Sequence, residues 1–239
     1  MNRLIIAACV PFALCALVPA AQAANFGALP TVSNAQFAHL ASDLGNAFSY
    51  HDMMPAAPLG ITGFDVGVTG SDTHLAYPGA WQAATGSSAS QLPAVGLQVE
   101  KGLPANFDVG LVYDVAPGTP ARVIGGNLSY AISSGGLMAP ALTIRGTYTR
   151  MTGVSQFHLD TRSVEVSLSK GFAFVTPYVG VGRVRTDASA DGLALASARL
   201  YNDKVYLGVD VNLGLFNLDA EADRMAGSTY YGLNVGWRL

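Results

Sequence analysis

The chain has 239 residues, of which 12% are charged, with thirteen basic against sixteen acidic side chains and a mean hydropathy of +0.33. That charged fraction is about half the ~25% usual in soluble domains. A net charge of −3 provides no global field to draw in DNA or RNA. No nucleic-acid partner is expected, and the length suits one domain with a substantial core.

Residues 1–23 read MNRLIIAACVPFALCALVPAAQA, with Arg3 as the charged start, Leu4 to Val18 as the apolar stretch and Ala21-Gln22-Ala23 as a small-residue cleavage site. This is the pattern of a cleaved signal peptide. Pro11 and Pro19 keep the run below the ~20 residues that a membrane-spanning helix needs. Both cysteines, Cys9 and Cys15, lie inside it, so the processed chain has none. A disulfide scaffold, a thiolate metal site and a cysteine nucleophile are thereby excluded. Processing also removes Arg3, leaving twelve basic and sixteen acidic residues and a net charge of −4.

Residues 24–58 read as a periplasmic or plug segment ahead of the region 59–239. Phe37, Leu40, Leu44 and Phe48 recur at helical spacing, Ser33 or Asn34 is available as an N-cap, and Gly45 interrupts the run. The pattern predicts a short amphipathic helix over 34–44, broken at Met54-Pro55-Ala56-Ala57-Pro58. Entering from the periplasmic side, such a segment would plug a lumen, cover its lower mouth or rest on a rim as a surface helix.

From residue 59 onward the period changes to two. In 204–213, Val205, Leu207, Val209 and Val211 alternate with Lys204, Tyr206, Gly208 and Asp210. The same alternation marks 61–69, 92–100, 105–114, 121–132, 139–150, 159–170, 172–185, 215–222 and 229–239. These lengths match the ~9 to 11 residues that cross hydrocarbon at a tilt. An open strand edge in lipid leaves amide and carbonyl groups unpaired at several kcal/mol each, so such strands must close on themselves. The fold expected is all-β, an antiparallel transmembrane β-barrel of about ten strands, with eight or twelve as alternative counts because 61–69 and 172–185 are weakly patterned. A soluble two-sheet sandwich is the competing architecture. Long connections at 70–91 and 186–202 alternate with tight ones such as Lys170-Gly171, which separates an outer from a periplasmic end.

The last segment sets Tyr231, Leu233, Val235, Trp237 and Leu239 on one face, running to the final residue. It resembles the terminal strand of Gram-negative outer-membrane β-barrel proteins, although that class prefers phenylalanine where Leu239 stands. The resemblance implies residence in the outer membrane, assembly by the barrel assembly machinery, and outer-membrane lipid and lipopolysaccharide as surroundings. Tyr113, Tyr148, Tyr231 and Trp237 are placed as an aromatic girdle at the headgroup belts. Arg150, Arg162, Arg183 and Arg185 would meet lipopolysaccharide phosphates.

Charged residues on the opposite faces mark the lumen: Asp65, Glu100, Asp108, Arg145, Glu165, Asp210 and Asp219 as candidate lining groups, with Asp114 and Glu221 beside them. No pair among His39, His51, His74 and His158 has the spacing of a metal-binding helix, and the calcium-loop pattern is absent around Asp187 and Asp191. Ser155, His158 and Asp160 supply the residue types of a hydrolase, but alternation sets Ser155 on the other face. No cofactor, metal or catalytic residue is expected. The function expected is passive passage or binding of small solutes, with an acidic lumen favouring cations. The alternative is a structural or interaction barrel that works through its outer loops.

Overall fold

Period-two alternation becomes ten antiparallel strands in the computed structural model, which describes residues 26–136 and 138–239; the signal peptide assigned to 1–23 lies outside them. In chain order these are β1 (Phe64–His74), β2 (Gln91–Gly102), β3 (Phe107–Val115), β4 (Arg122–Ser134), β5 (Ala141–Thr152), β6 (Phe157–Ser169), β7 (Val175–Ala190), β8 (Ala198–Asn212), β9 (Phe216–Met225) and β10 (Ser228–Arg238). Each pairs with its neighbours in sequence, and β1 pairs with β10 from Asp65↔Arg238 to His74↔Thr229, closing the barrel. Closure satisfies the backbone of the two strands that would otherwise be edges. Arg238 locks the seam from inside: its guanidinium donates to Asp65 at 2.7 Å and to Asp210 on β8 at 2.9 Å.

The outward faces are apolar around the whole circumference. Val68, Leu97, Leu111, Ile124, Ile144, Val164, Val181, Leu207, Leu218 and Leu233, one from each strand, are all exposed. Their inward neighbours are polar and buried, including Thr147, Thr149, Ser163, Ser167, Asn217 and Asn234. Outside apolar and inside polar is the inverse of a soluble sandwich and matches hydrocarbon around the barrel.

Connections at the end holding Phe64 and Leu239 are all short (103–106, 135–140, 170–174 and 213–215), and the longest connection, 75–90, is at the opposite end. Short turns mark the periplasmic side and longer loops the outside. Two loop expectations need correcting. The connection placed at 186–202 is mostly strand, since β7 and β8 run on as a ribbon and leave only 191–197. Ion pairs join Asp187 to Arg185 at 2.7 Å and to Arg199 at 2.9 Å on that ribbon, which holds together beyond the apolar band. The connection placed at 70–91 is shortened by β1, which continues to His74, and contains a helix that the sequence reading missed, α2 (Pro78–Thr85). Pro78 opens α2, and Gly86 closes it with φ 75°, the left-handed conformation that favours glycine.

Candidate functional site: the lumen and its plug

A helix, α1 (Asn34–Ala47), occupies the outer mouth. Ser33 and Gln36 form a reciprocal cap, with Gln36 N donating to Ser33 Oγ at 3.2 Å and Ser33 N donating to Gln36 Oε1 at 2.9 Å. The helix runs through Gly45, three residues beyond the predicted end. Its apolar side, Phe37, Leu40, Ala41 and Leu44, packs with Phe26 and Leu29 of the preceding 3-10 turn, Trp81 of α2, and Phe157, Leu159 and Val123 from the barrel rim. Phe37 meets Phe157 edge-on at 5.5 Å, and Phe26 meets Trp81 edge-on at 5.7 Å. Buried Asp43 ties α1 to the start of α2 and to β10, accepting from Ala76 N at 3.0 Å, Tyr77 N at 2.9 Å and Ser228 Oγ at 2.6 Å. Burial raises its carboxyl above the ordinary range, partly offset by those three donors.

From α1 the chain descends through the lumen to the periplasmic mouth. Inward positions of β5 measure the descent: Thr149 Oγ1 donates to Phe48 O at 2.7 Å, Arg145 pairs with Asp52, and Thr143 Oγ1 donates to Ala56 O. Below these, Ala56 N donates to Ser169 Oγ at 3.0 Å and Leu59 N to Asp108 Oδ1 at 3.1 Å. The sequence reading brought the segment in from below and left it near the lower mouth, in the lumen or on a rim. In the structure it traverses the lumen and puts its helix at the outer mouth. The apolar face of α1 explains this, since the outer end supplies the apolar partners while the inner wall is polar.

The descending segment has no backbone ladder, so wall side chains satisfy it. Lys204 Nζ donates to Tyr50 O at 2.8 Å, Gln98 Nε2 donates to Asp52 O, and Tyr50 OH donates to Glu100 Oε1 at 2.7 Å while accepting from Asn127 Nδ2 at 2.6 Å. Cavities of about 10 Å³ lie beside Asp52 and beside His51, each with room for about one water. At the periplasmic mouth a recess of about 720 Å³ opens, lined by Met54, Pro58, Lys170, Asp210 and Arg238 among others.

All seven candidate lining groups are buried on the inner side, at 9% exposure or less. Five of them hold the plug or the seam: Glu100, Arg145 and Asp108 contact the descending segment, and Asp65 and Asp210 contact Arg238. Glu165 lies 3.5 Å from Lys204, and Asp219 accepts from Asn217 at 2.7 Å and Asn234 at 2.9 Å. Tyr113, Tyr148, Tyr231 and Trp237 are exposed on the outer surface, the first three toward the outer end and Trp237 near the periplasmic end. Ser155, His158 and Asp160 do not converge. His158 pairs with Asp191 at 2.9 Å, Asp160 accepts from Arg150 and Tyr148, each at 2.8 Å, and no hydrogen bond joins Ser155 to His158 among the described residues. Tyr50 and Asp52, which the sequence reading does not name, and Lys204, which it places only on the polar face of 204–213, prove central to the lumen.

The closed sheet, apolar outside and polar within, defines an antiparallel transmembrane β-barrel of the outer-membrane type. No family model and no curated relative matches the sequence. Among solved structures, the chain is similar to the N-terminal β-barrel domain of Pseudomonas aeruginosa OprF, at 12% identity and TM-score 0.38, covering 75% of this chain and 99% of that one. It is similar to the KdgM porin at 8% identity and TM-score 0.38, covering 72% and 98%. Neisserial surface protein A gives 12% identity and TM-score 0.32, covering 74% and 95%.

Proposed function

We propose that this outer-membrane barrel is closed to solutes at rest and works through the surface it presents outside, a cap built from residues 26–47 and the β1–β2 connection. The observation that carries this reading is the occupied lumen: Tyr50, Asp52, Ala56 and Leu59 are bonded in turn to the wall from mid-barrel to the periplasmic mouth. An ion crossing the barrel would have to displace them. Interaction through the cap involves no chemical change in the partner.

A second reading is passage of small solutes when the plug moves. It is favoured by the periplasmic recess, whose volume of about 720 Å³ is that of a small-molecule site. With the plug displaced, the acidic lumen would favour cations. Recording in planar bilayers separates the two. The resting-closed reading expects no steps from the full-length protein, and steady conductance from it would overturn that reading. Steps that appear only when the contacts of Tyr50 and Asp52 are removed, as in the Tyr50→Phe/Asp52→Ala variant, would favour a displaceable plug.

A further inference from the structure

Of the four histidines, His51 is turned from the plug into the wall. Its ring lies flat on Tyr230, with centroids 3.6 Å apart and planes within 1°. Its Nε2 is 3.0 Å from the carbonyl oxygen of Asn46, a group that can only accept. Ser49 Oγ, 3.3 Å from the same nitrogen, donates its own hydrogen to that carbonyl at 3.0 Å. Nε2 therefore carries a ring hydrogen, which leaves Nδ1 as the nitrogen that acts as a ligand once it has lost its proton. Nδ1 faces two carboxylates of β9, Asp223 Oδ2 at 2.8 Å and Glu221 Oε1 at 3.7 Å. Neither Nδ1 nor either Asp223 oxygen makes an aligned hydrogen bond, although the two side chains are only 6% and 0% exposed. A lone pair held against two carboxylates in a buried site is repulsive unless a cation sits between them.

We propose that His51, Glu221 and Asp223 form a divalent metal site, suited to an ion such as Zn²⁺ or Mn²⁺, that staples the plug to β9. One imidazole and two carboxylates are an N/O donor set appropriate to such ions. The three ligand atoms lie within 4.8 Å of one another. Bonds of about 2.0–2.1 Å in a tetrahedral site space neighbouring ligand atoms roughly 3.3 Å apart, and the observed 2.8 and 3.7 Å bracket that spacing. The cavity of about 10 Å³ beside His51 has room for one water as a fourth ligand. Lys204 Nζ is the competing cation, but it is anchored on Tyr50 O at 2.8 Å and stands 3.8 Å from Asp223. Because the plug seals the site, the ion would be loaded while the barrel folds.

The test is refolding of the processed chain from urea into detergent with Zn²⁺, with Mn²⁺ or with chelator, followed by desalting and elemental analysis. About one metal per chain is expected, with the unheated band on gels persisting to a midpoint about 5–10 °C higher than in chelator, for metal at a hundred-fold excess over its Kd. His51→Ala should lose the metal and the shift, whereas His158→Ala, which removes an exposed imidazole paired with Asp191, should keep both. Wild-type protein that folds in chelator, retains no metal and shows the same midpoint in every condition would mean that a proton bridges His51 and Asp223, and would overturn the proposal. Equal metal in folded wild type and His51→Ala would overturn it as well.

Discussion

Truncating Asp52 to alanine removes the nearest partner of Arg145 at the middle of the lumen. Both side chains are 6% exposed, and breaking a buried ion pair from one side costs about 3–5 kcal/mol, because the remaining charge stays buried and uncompensated. The two truncations should differ. Glu100 and Glu165 also act on Arg145, so Asp52→Ala leaves the guanidinium with acidic neighbours and should cost about 2–3 kcal/mol, below the full range. Arg145→Ala leaves carboxylates facing one another and should cost the full amount. The double variant should be less destabilised than the sum of the singles by at least about 1 kcal/mol, the coupling of residues in direct contact. Urea unfolding in detergent micelles, followed by tryptophan fluorescence and by the heat-sensitive gel shift, measures all three. Single variants within about 0.5 kcal/mol of wild type, or strictly additive losses, would refute the claim that this pair holds the plug.

Three further outcomes follow from the same geometry. Exposed Ala35 in α1 and exposed Ala57 lie at opposite mouths, so on intact cells a membrane-impermeant maleimide should label Ala35→Cys, while Ala57→Cys should react only after the outer membrane is opened; the reverse pattern would invert the threading. Burial raises the folded-state pKa of Asp43 above 3.8, so its contribution to stability is fully present below that value and is lost as pH rises through the raised one. The unfolding free energy of wild type minus that of Asp43→Asn should therefore decline from pH 3 upward, and a pH-independent difference would refute the assignment. Gly45→Ala would gain up to about 1 kcal/mol in an exposed helix, but here a Cβ would run into the side chain of Thr186 on β7. It should cost about 1–3 kcal/mol, eased by Thr186→Ala; a more stable single variant would contradict the packing.

Strand faces were legible because alternation is enforced by two different solvents. Val205 and Leu207 must meet lipid while Lys204 and Tyr206 must not, and the structure exposes the first two and buries the others. The outer ends of β7 and β8 were illegible for the same reason reversed. Beyond the lipid band the outward face is polar, with Asp187, Ser189 and Asp203, while the inward face packs Thr186 and Ala188 beneath the cap, so the apolar-out, polar-in period ends even though the strands pair. The path of the plug could not be read either. Its backbone bonds to wall side chains instead of to a ladder, so residues 48–58 show no repeat, and the partner of Asp52 is ninety-three positions away at Arg145. Apolar Phe37, Leu40 and Leu44 revealed α1, but only the position of Phe157 and Trp81 determines which mouth it covers.

Threading constrains the order in which this molecule is put together. A helix with its side chains is about 10–12 Å across, and the inward side chains of Arg145, Lys204, Tyr178 and Tyr206 are buried in the lumen that α1 would have to pass. Passage through a finished cylinder is thus sterically unfavourable, and the leading segment has to be in place before the first and last strands meet. The wall then wraps around it, and each of the ten backbone pairings from Asp65↔Arg238 to His74↔Thr229 is made with the occupant already inside. For this protein the final zipping step is also the encapsulation step, so a chain lacking its leading segment would close around unneutralised charges and should stall at the stage where the sheet is complete but unsealed.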